Sequence, residues 1–461
     1  MRVFCLTTAL LPLTLIGCSG LTGDQDEGWR DDGKADGTGV TLKYKSYDIL
    51  FTNPLCREYT YATPIKTADG SKTLTAKPKN VYCSHEDIAV SAARPTSPQN
   101  KLISWIHDLG ANDEIFLAYL SFSNQAVAGE LCSALQRGTK VTFVLDARSP
   151  AADQVEGCGG TVLLRGHQGS IGYAHNKFIL INPKGTSEYM KMTFSSGNMS
   201  SGVVTHHENW HFIDVKRSSY FAQSHVCLME AQLSEEATSG KSQYTAAINH
   251  CRGEIDAPEE DDIKSFFIPV LEDRRRAERY LLGAIGEAKK IDIGAHRFGH
   301  PKMVEALRSR LAAGQVKVRM VADDDLYWLD PVVGTAAKVG DNEYFEAENV
   351  ASLEEAGGDN FEIRYFETNQ GEHLLHHNKY LVFRKGTGAA TGMLGGAMNL
   401  TSTGFNDNFE NGYFIKIPKV LDAFTTQYKR VWDGEKASAD EQDPPIATPR
   451  NLMPEANVPG Q

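Results

Sequence analysis

The chain has 461 residues, of which 41% are hydrophobic and 23% are charged, and its formal net charge is −12. This is an ordinary globular composition, and the length is sufficient for one large core or two similar ones. The acidic balance argues against nucleic acid as a partner, because contacts to phosphates supply most non-specific affinity for it. The charge does not discriminate among lipids.

The N-terminus predicts export. Arg2 precedes an apolar stretch, residues 3–16, which is too short to span a bilayer and is typical of a signal sequence. Its end, Leu15-Ile16-Gly17-Cys18, resembles the lipobox of bacterial lipoproteins, in which the signal is cut before the cysteine and the cysteine carries the lipid. An ordinary secretory signal with a coincidental cysteine is the alternative.

We therefore expect a signal peptide at 1–17, a lipid on Cys18 and a flexible acidic tether at 18–40. Residue 19 is Ser rather than Asp, so nothing obvious retains the protein at an inner membrane. The expected location is the outer membrane, on its periplasmic or cell-surface side.

Cysteine usage agrees with export. Apart from Cys5 and Cys18, six cysteines remain: Cys56, Cys83, Cys132, Cys158, Cys227 and Cys251. An even count outside the reducing cytosol favours three disulfides, and pairing between neighbours is our expectation, although other pairings stay open. Metal binding is the alternative, but the chain has no Cys-x-x-Cys.

Strand and helix patterns occur in the same order in both halves. After a strand-like fragment at 40–47, the first half predicts a strand at 115–123, a helix at 127–136 and a strand at 140–146. The second half repeats this order at 291–296, 303–312 and 316–322, with Gly138 and Gly314 placed to end the two helices. Further helices are expected at 219–235 and 269–288. This alternation predicts an α/β protein with a mostly parallel or mixed sheet.

A polar motif also occurs twice. His175 and Lys177 open one apolar run, and His377 and Lys379 open another. An asparagine follows each histidine by 23 or 22 residues, and a glutamate follows it by 33 residues in both halves; these residues are Asn198, Asn399, Glu208 and Glu410. Chance rarely repeats three polar positions at matched distances.

The residue types suit a phosphate ester. On a strand, residues i and i+2 share a face, so each histidine points the same way as its lysine. Two lysines and two asparagines offer donors to phosphate oxygens. One histidine can attack phosphorus and the other can protonate the leaving oxygen, while each glutamate can fix a histidine tautomer.

At these residues the chain resembles the phospholipase D superfamily, whose mark is a duplicated His-x-Lys-x4-Asp followed by Gly-Ser-x-Asn. The resemblance covers roughly residues 100–434. It implies two αββα repeats related by a pseudo-twofold axis with one active site at their interface, a phosphohistidine on His175, His377 as acid and base, and no metal or cofactor. Within the superfamily, we expect a relative of the phosphatidylserine and cardiolipin synthases.

Three positions depart from the family pattern. The aspartate of the motif is Asn182 in the first copy and Arg384 in the second. The small hydroxyl residue is Ser196 in the first copy, where it is a candidate substrate-binding residue, but Ala397 in the second. Tyrosyl-DNA phosphodiesterases also lack that aspartate, so its absence does not imply an inactive enzyme.

The distance between the second strand and the histidine motif is longer in the second half. The resulting insert, 326–372, contains Tyr327 and Trp328, which are candidates for a substrate rim. A lid and an inserted surface hairpin are both open interpretations. The expected organisation after the tether is an N-terminal extension at 41–100, repeat 1 at 101–217, a connection at 218–262, repeat 2 at 263–434 and an irregular tail at 435–461.

The expected function is that of a monomeric, metal-independent phosphodiesterase that hydrolyses or transfers the phosphatidyl group of a phospholipid, held at the membrane by its N-terminal lipid. The alternatives are a nuclease of the same superfamily and a catalytically silent envelope module that binds phosphorylated head groups. If the histidines keep a pKa near 6.5, opposite protonation of the pair is accessible near neutral pH.

Overall fold

Fourteen strands of the described residues form two sheets of seven strands each. The computed structural model describes residues 38–52, 85–166, 172–328, 346–366, 375–386 and 388–433. All of them lie within the unit Asp36–Gln461.

The first half contributes one sheet and seven helices. Its strands are β1 (Tyr44–Thr52), β2 (Glu114–Tyr119), β3 (Lys140–Leu145), β4 (Thr161–Leu164), β5 (Phe178–Ile181), β6 (Tyr189–Ser195) and β7 (Glu208–Lys216). Its helices are α1 (His85–Ala93), α2 (Pro98–His107), α3 (Gln125–Gln136), α4 (Pro150–Gly157), α5 (Gly202–Thr205), α6 (Tyr220–Leu233) and α7 (Lys241–Gly253).

The second half has the same kinds of element. Its strands are β8 (Ile263–Ile268), β9 (Lys290–Ala295), β10 (Lys317–Asp323), β11 (Phe361–Phe366), β12 (Lys379–Arg384), β13 (Ala390–Gly396) and β14 (Glu410–Ile415). Its helices are α8 (Leu271–Glu287), α9 (Pro301–Ala312), α10 (Asp325–Trp328), α11 (Glu346–Gly357), α12 (Ser402–Asn406) and α13 (Pro418–Asp433).

The two sheets share one topology. The strand orders are β1-β7-β6-β5-β2-β3-β4 and β8-β14-β13-β12-β9-β10-β11. In each sheet three strands are parallel, β2 to β4 or β9 to β11, and the other pairings are antiparallel. The α/β fold with two pseudosymmetric halves is therefore confirmed.

The helices that follow β2 and β9 end where the sequence predicts and begin two residues earlier, at Gln125 and Pro301. Asn124 caps α3 by accepting from the backbone N–H of Val127, and Gly138 follows the helix with φ of +94°. His300 caps α9 by accepting from Met303, and Gly314 follows with φ of +63°. A glycine at this position avoids the steric cost that a side chain has at positive φ.

Each sheet is buried on both faces. Along β5, Phe178 and Leu180 point to a core cluster that also contains Tyr380 of β12 and side chains of α6, α7 and α13. Ile179 and Ile181 point the other way, toward α2, α3 and α4. The second sheet likewise packs its other face against α8, α9 and α11. Strands buried on both faces read as continuous apolar runs, which explains the sequence after each motif.

The N-terminal region differs from our expectation. The strand predicted at 40–47 is β1, Tyr44–Thr52, and it pairs along its length with β7 at the edge of the first sheet. In the second half β8 pairs with β14 in the same way. Strand β1 lies in the region predicted as an N-terminal extension. It occupies the same edge position in the first sheet that β8 occupies in the second.

The insert at 326–372 contains regular elements. Helix α11 packs against α9, and β11 adds to the sheet as a parallel neighbour of β10. They occupy the places that α4 and β4 have in the first half. Residues 346–366 are therefore part of the repeat and do not form a lid or hairpin; residues 329–345 lie outside the described part of the chain.

Two of the three expected disulfides are confirmed: Cys132 pairs with Cys158, and Cys227 pairs with Cys251. Cys56, Cys83 and Cys18, the predicted site of the lipid, lie outside the described residues. Among the described helices, none has the length and apolar character needed to cross a bilayer.

Candidate active site

The two histidine motifs meet where β5 and β12 begin. Short backbone bridges join the halves there: the N–H of His175 donates to the carbonyl of Phe409, and the N–H of His377 donates to the carbonyl of His207, at 2.9 and 3.0 Å. Phe409 and His207 immediately precede the glutamates that open β14 and β7. Each motif is thus held against the other half of the chain.

The two histidine–glutamate pairs form between the halves. His175 Nδ1 lies 2.7 Å from Glu410 Oε2, and His377 Nδ1 lies 2.9 Å from Glu208 Oε1. Both glutamates are fully buried, and the histidines are only 5–7% exposed. A carboxylate on Nδ1 leaves Nε2 as the reactive nitrogen of each ring.

The motif lysines are buried beside these pairs. Lys177 Nζ donates to the backbone carbonyl of His175 at 3.1 Å, and Lys379 Nζ donates to that of His377 at 2.8 Å. Lys379 also donates to the carbonyl of Ser196 in the other half at 3.2 Å. Each ammonium is therefore fixed next to a catalytic candidate by its own strand.

Asparagines complete a symmetric network. Asn209 Nδ2 donates to Asn378 Oδ1 at 2.8 Å, and Asn411 Oδ1 accepts from the backbone N–H of Lys177 at 2.7 Å. Asn198 and Asn399 lie after β6 and β13, and in each the buried Oδ1 has no hydrogen-bond partner among the described residues. The structure therefore brings together six of the eight predicted catalytic residues, namely the two histidines, the two lysines and the two glutamates.

Burial and the positive charge of the two lysines lower the pKa values of both histidines. Burial lowers the pKa of His175 well below its usual 6.5, and Lys177 and Lys379 lower it further. Burial also lowers the pKa of His377, with added effects of both lysines. Since both lysines act on both histidines, the four residues lie within one electrostatic environment.

Burial also shifts the pKa values of both lysines and of one glutamate, in each case toward the neutral form. Burial lowers the pKa of Lys177 to about 8, lowers that of Lys379 well below 10.5, and raises that of Glu410 to about 8. The expectation that the histidines keep a pKa near 6.5 is therefore wrong, because both rings are buried beside ammonium groups. Neutral imidazole is favoured, which keeps a lone pair free for attack on phosphorus.

Other predicted residues have different surroundings. Ser196 is fully buried, and its Oγ accepts from the backbone N–H of Asn209 at 3.1 Å. Asn182 and Arg384, which replace the family aspartate, bind Asp113 and Asp292 at the far ends of β5 and β12. These departures therefore leave the histidines and lysines untouched. Tyr327 and Trp328 lie in α10, and their role at a substrate rim stays a prediction.

Several histidines near His377 were not singled out from the sequence. His206, His207 and His376 are all buried. The rings of His206 and His296 lie 5.6 and 4.8 Å from that of His377. The equivalent positions beside His175 and Glu410 hold Ala174, Asn408 and Phe409, so the sequence alone shows that these histidines accompany only the pair of His377 and Glu208.

Two groups in the described part of the chain place metal-ligating atoms within 4.8 Å of one another. One comprises His206, Glu208 and His377, and the other comprises His296, Asp323 and Asp325. In the second group the Asp323 carboxylate already accepts from the backbone N–H groups of Asp325 and His376, at 2.9 and 2.6 Å.

Comparison with known proteins agrees with this geometry. A family model described as cardiolipin synthase, PLD-like domain, matches residues 281–432. Phosphatidylserine synthase of Haemophilus influenzae Rd KW20 is similar in structure, with a TM-score of 0.50 and 12% identity over 72% of this chain and 83% of that one. The part of the chain at residues 281–432 thus matches a PLD-like domain, and the fold over a larger part of the chain is shared with phosphatidylserine synthase. No curated protein matches its sequence.

Two weaker structural similarities are to polyphosphate kinase from Porphyromonas gingivalis and to tyrosyl-DNA phosphodiesterase of yeast. Their TM-scores are 0.45 and 0.41, each at 10% identity, over 72% and 66% of this chain. The chain spans 45% of the kinase and 82% of the phosphodiesterase. At a coarse level, the family model over residues 281–432 supports a phosphodiesterase or phosphotransferase.

Proposed function

We propose that the protein is a metal-independent phosphodiesterase that hydrolyses or transfers the phosphatidyl group of a phospholipid. The observation that carries the proposal is the crossed pairing of His175 with Glu410 and of His377 with Glu208. It supplies two imidazoles with fixed tautomers beside two ammonium groups. These four groups suit in-line displacement at a phosphodiester in two steps.

In the first step His175 Nε2 attacks phosphorus, and the bond from phosphorus to the leaving oxygen breaks. Glu410 accepts the Nδ1 proton in a hydrogen bond and stabilises the charge that develops on the ring. Lys177 and Lys379 balance the charge on the non-bridging oxygens.

His377 protonates the leaving oxygen in this step. In the second step it accepts a proton from water or an alcohol, which displaces His175 from phosphorus. Its pKa is low before substrate binds, because it is buried beside Lys379. A phosphodiester anion between the lysines offsets their charge, which favours the proton that the acid needs.

We further propose that lipid on Cys18 holds the enzyme at the outer membrane. A tether at 18–40 would let the active site reach phospholipids or their released head groups. An anchored enzyme needs little attraction between its surface and the lipid, in keeping with the net charge of −12.

The test uses the purified full chain in detergent with EDTA and mixed-phospholipid vesicles. Mass spectrometry would follow phosphatidic acid, and transphosphatidylation products in the presence of a primary alcohol. We expect product from the wild type and none from His175→Asn. Loss of activity in EDTA would contradict the mechanism, salt-sensitive DNA cleavage without lipid turnover would indicate a nuclease, and head-group binding without turnover would indicate a binding module.

A further inference from the structure

A buried imidazole beside His377 has no part in the proposed reaction. His206 lies two residues before Glu208, and its counterpart before Glu410 is Asn408. Asn408 Nδ2 donates a hydrogen bond to Glu410 Oε1 at 3.1 Å. His206 Nδ1 lies 3.3 Å from Glu208 Oε1, yet neither ring nitrogen has a hydrogen-bond partner among the described residues. His206 is only 7% exposed, so these polar atoms are buried and unused.

We propose that His206, Glu208 and His377 form a site for a divalent transition-metal cation such as Zn²⁺, and that occupation of this site inhibits the enzyme. Two imidazoles and one carboxylate are a donor set that Zn²⁺ takes in proteins, with water in the fourth position. The inhibitory part rests on the proposed function. The binding part does not depend on it.

The distances suit a tetrahedral ion. Ligands at about 2.0–2.1 Å from zinc lie roughly 3.3 Å from one another. His206 Nδ1 is already 3.3 Å from Glu208 Oε1, and His377 Nδ1 is 2.9 Å from the same oxygen. One ligand atom from each of the three residues lies within 4.8 Å of the others. A shift of a few tenths of an ångström at Glu208 would open the site.

The packing holds two of the ligands in place. A Cβ at Gly202 would lie 2.4 Å from His206 Nδ1, and a Cβ at Gly197 would lie 1.7 Å from Glu208 Oε2. Both side chains therefore rest directly against glycine backbone. Since Asn408 stands in place of His206 beside Glu410, the pair of His175 and Glu410 lacks the second imidazole of this donor set.

Binding at this site would block the reaction. The metal takes Nδ1 of His377, the ring proton moves from Nδ1 to Nε2, and the hydrogen bond to Glu208 is broken. With metal on one ring nitrogen and a proton on the other, the ring has no lone pair to accept a further proton and can donate only by becoming an imidazolate, so it no longer serves as acid and base. Lys379 also repels the cation, and we therefore expect micromolar rather than nanomolar affinity.

The neighbouring group at His296 provides the matched control. Its ring also lies close to His377, but Asp323 is engaged by two backbone N–H groups. A metal bound there would depend on His296 and not on His206. The variants His206→Asn and His296→Asn therefore distinguish the two locations, and His206→Asn reproduces the residue that the second half uses.

The experiment titrates Co²⁺ and then Zn²⁺ into the full chain in detergent, after treatment with EDTA and its removal. Visible absorption of Co²⁺ reports a tetrahedral site without any substrate. We expect binding by the wild type and by His296→Asn, and binding at least about tenfold weaker in His206→Asn. The Zn²⁺ concentration for half-inhibition, relative to each variant's own rate in EDTA, should rise by the same factor in His206→Asn.

Equal binding by His206→Asn and the wild type, loss of binding in His296→Asn, or no tetrahedral Co²⁺ spectrum would overturn the site. Cysteines elsewhere are common to all three proteins and cannot produce a difference among them. Binding that depends on His206 in a protein without phosphodiesterase activity would instead refute the proposed function and leave the metal site standing.

Discussion

Glu410 Oε2 lies 2.7 Å from His175 Nδ1, although 235 residues separate them in the chain. The reciprocal pair, Glu208 with His377, spans 169 residues. Each half of the protein therefore supplies the histidine of one pair and the carboxylate of the other. A reaction that needs both pairs cannot be assembled by either half alone.

Replacing either glutamate by glutamine should lower kcat while the fold is retained. Glutamine keeps the size of the side chain but removes the charge that favours the reactive tautomer, so we expect a loss of about 10²–10⁴-fold. The measurement is kcat for Glu410→Gln and Glu208→Gln with a soluble phosphodiester. Glu362→Gln, at an exposed pair with Arg364, is the control and should match the wild type. Wild-type rates in both site variants would show that the carboxylates do not act on the histidines.

The pH dependence of the rate should follow the groups whose pKa values are shifted in the folded protein. His175 must be neutral to attack, and its pKa is lowered, so the acidic limb of kcat/KM should lie well below pH 6.5. Lys177 must be charged, and its pKa is about 8, so the rate should fall as the pH rises through about 8. Glu410 also titrates near pH 8, but its ionisation should raise the rate with pH, so a variant is needed to separate the two effects.

Lys177→Arg makes this assignment, because arginine stays charged throughout the range. The alkaline limb should move to higher pH in this variant, even if its maximal rate is lower. An alkaline limb that stays near pH 8 would assign it to a group other than Lys177.

The roles of the two histidines should separate with an activated substrate. A nitrophenyl phosphodiester has a leaving group that needs no proton, so His377→Asn should still transfer the phosphoryl group to His175. Without His377 to accept a proton from water, the adduct should accumulate and raise the mass of the intact protein. His175→Asn should form no adduct. An adduct on His377 instead would reverse the assignment.

Local sequence was sufficient for the elements that hold the site. Apolar runs after Lys177 and Lys379 predicted β5 and β12, and glycine positions predicted the ends of α3 and α9. The place of β1 was not predictable in this way, because its partner β7 lies some 160 residues later and no local pattern identifies it. The place of β11 was not predictable either, because the longer spacing before the second motif assigned its residues to an insert.

The chemistry of the site was only partly predictable. Matched spacing identified Glu208 and Glu410 as partners of histidines but could not show that the pairs cross between the halves. The pKa shifts depend on burial and on the approach of Lys177 to Lys379, which are properties of the packed fold. A role for His206 could be inferred only from its distance to Glu208 in the folded protein.

The two disulfides should contribute separately to stability. Cys132–Cys158 joins positions 26 residues apart, and Cys227–Cys251 joins positions 24 residues apart. Loop-closure entropy predicts about 3–4 kcal/mol for each. Replacing both cysteines of one pair by serine should lower the free energy of unfolding by that amount in denaturant titrations. A change below about 1 kcal/mol would show that the unfolded state is already restricted or that the bond adds strain.

Gly197→Ala should disable the enzyme through Glu208. The added methyl group would lie 1.7 Å from Glu208 Oε2 and 2.2 Å from its Cδ, so the carboxylate must move away from His377. We expect kcat to fall about as far as in Glu208→Gln, with the circular dichroism spectrum unchanged. Gly129→Ala, inside α3 with no atom within 4 Å of the added methyl group, is the control. It should leave kcat unchanged and raise the free energy of unfolding by up to about 1 kcal/mol, because alanine favours the helix. If Gly197→Ala keeps the wild-type rate, the carboxylate of Glu208 does not need its present position for catalysis.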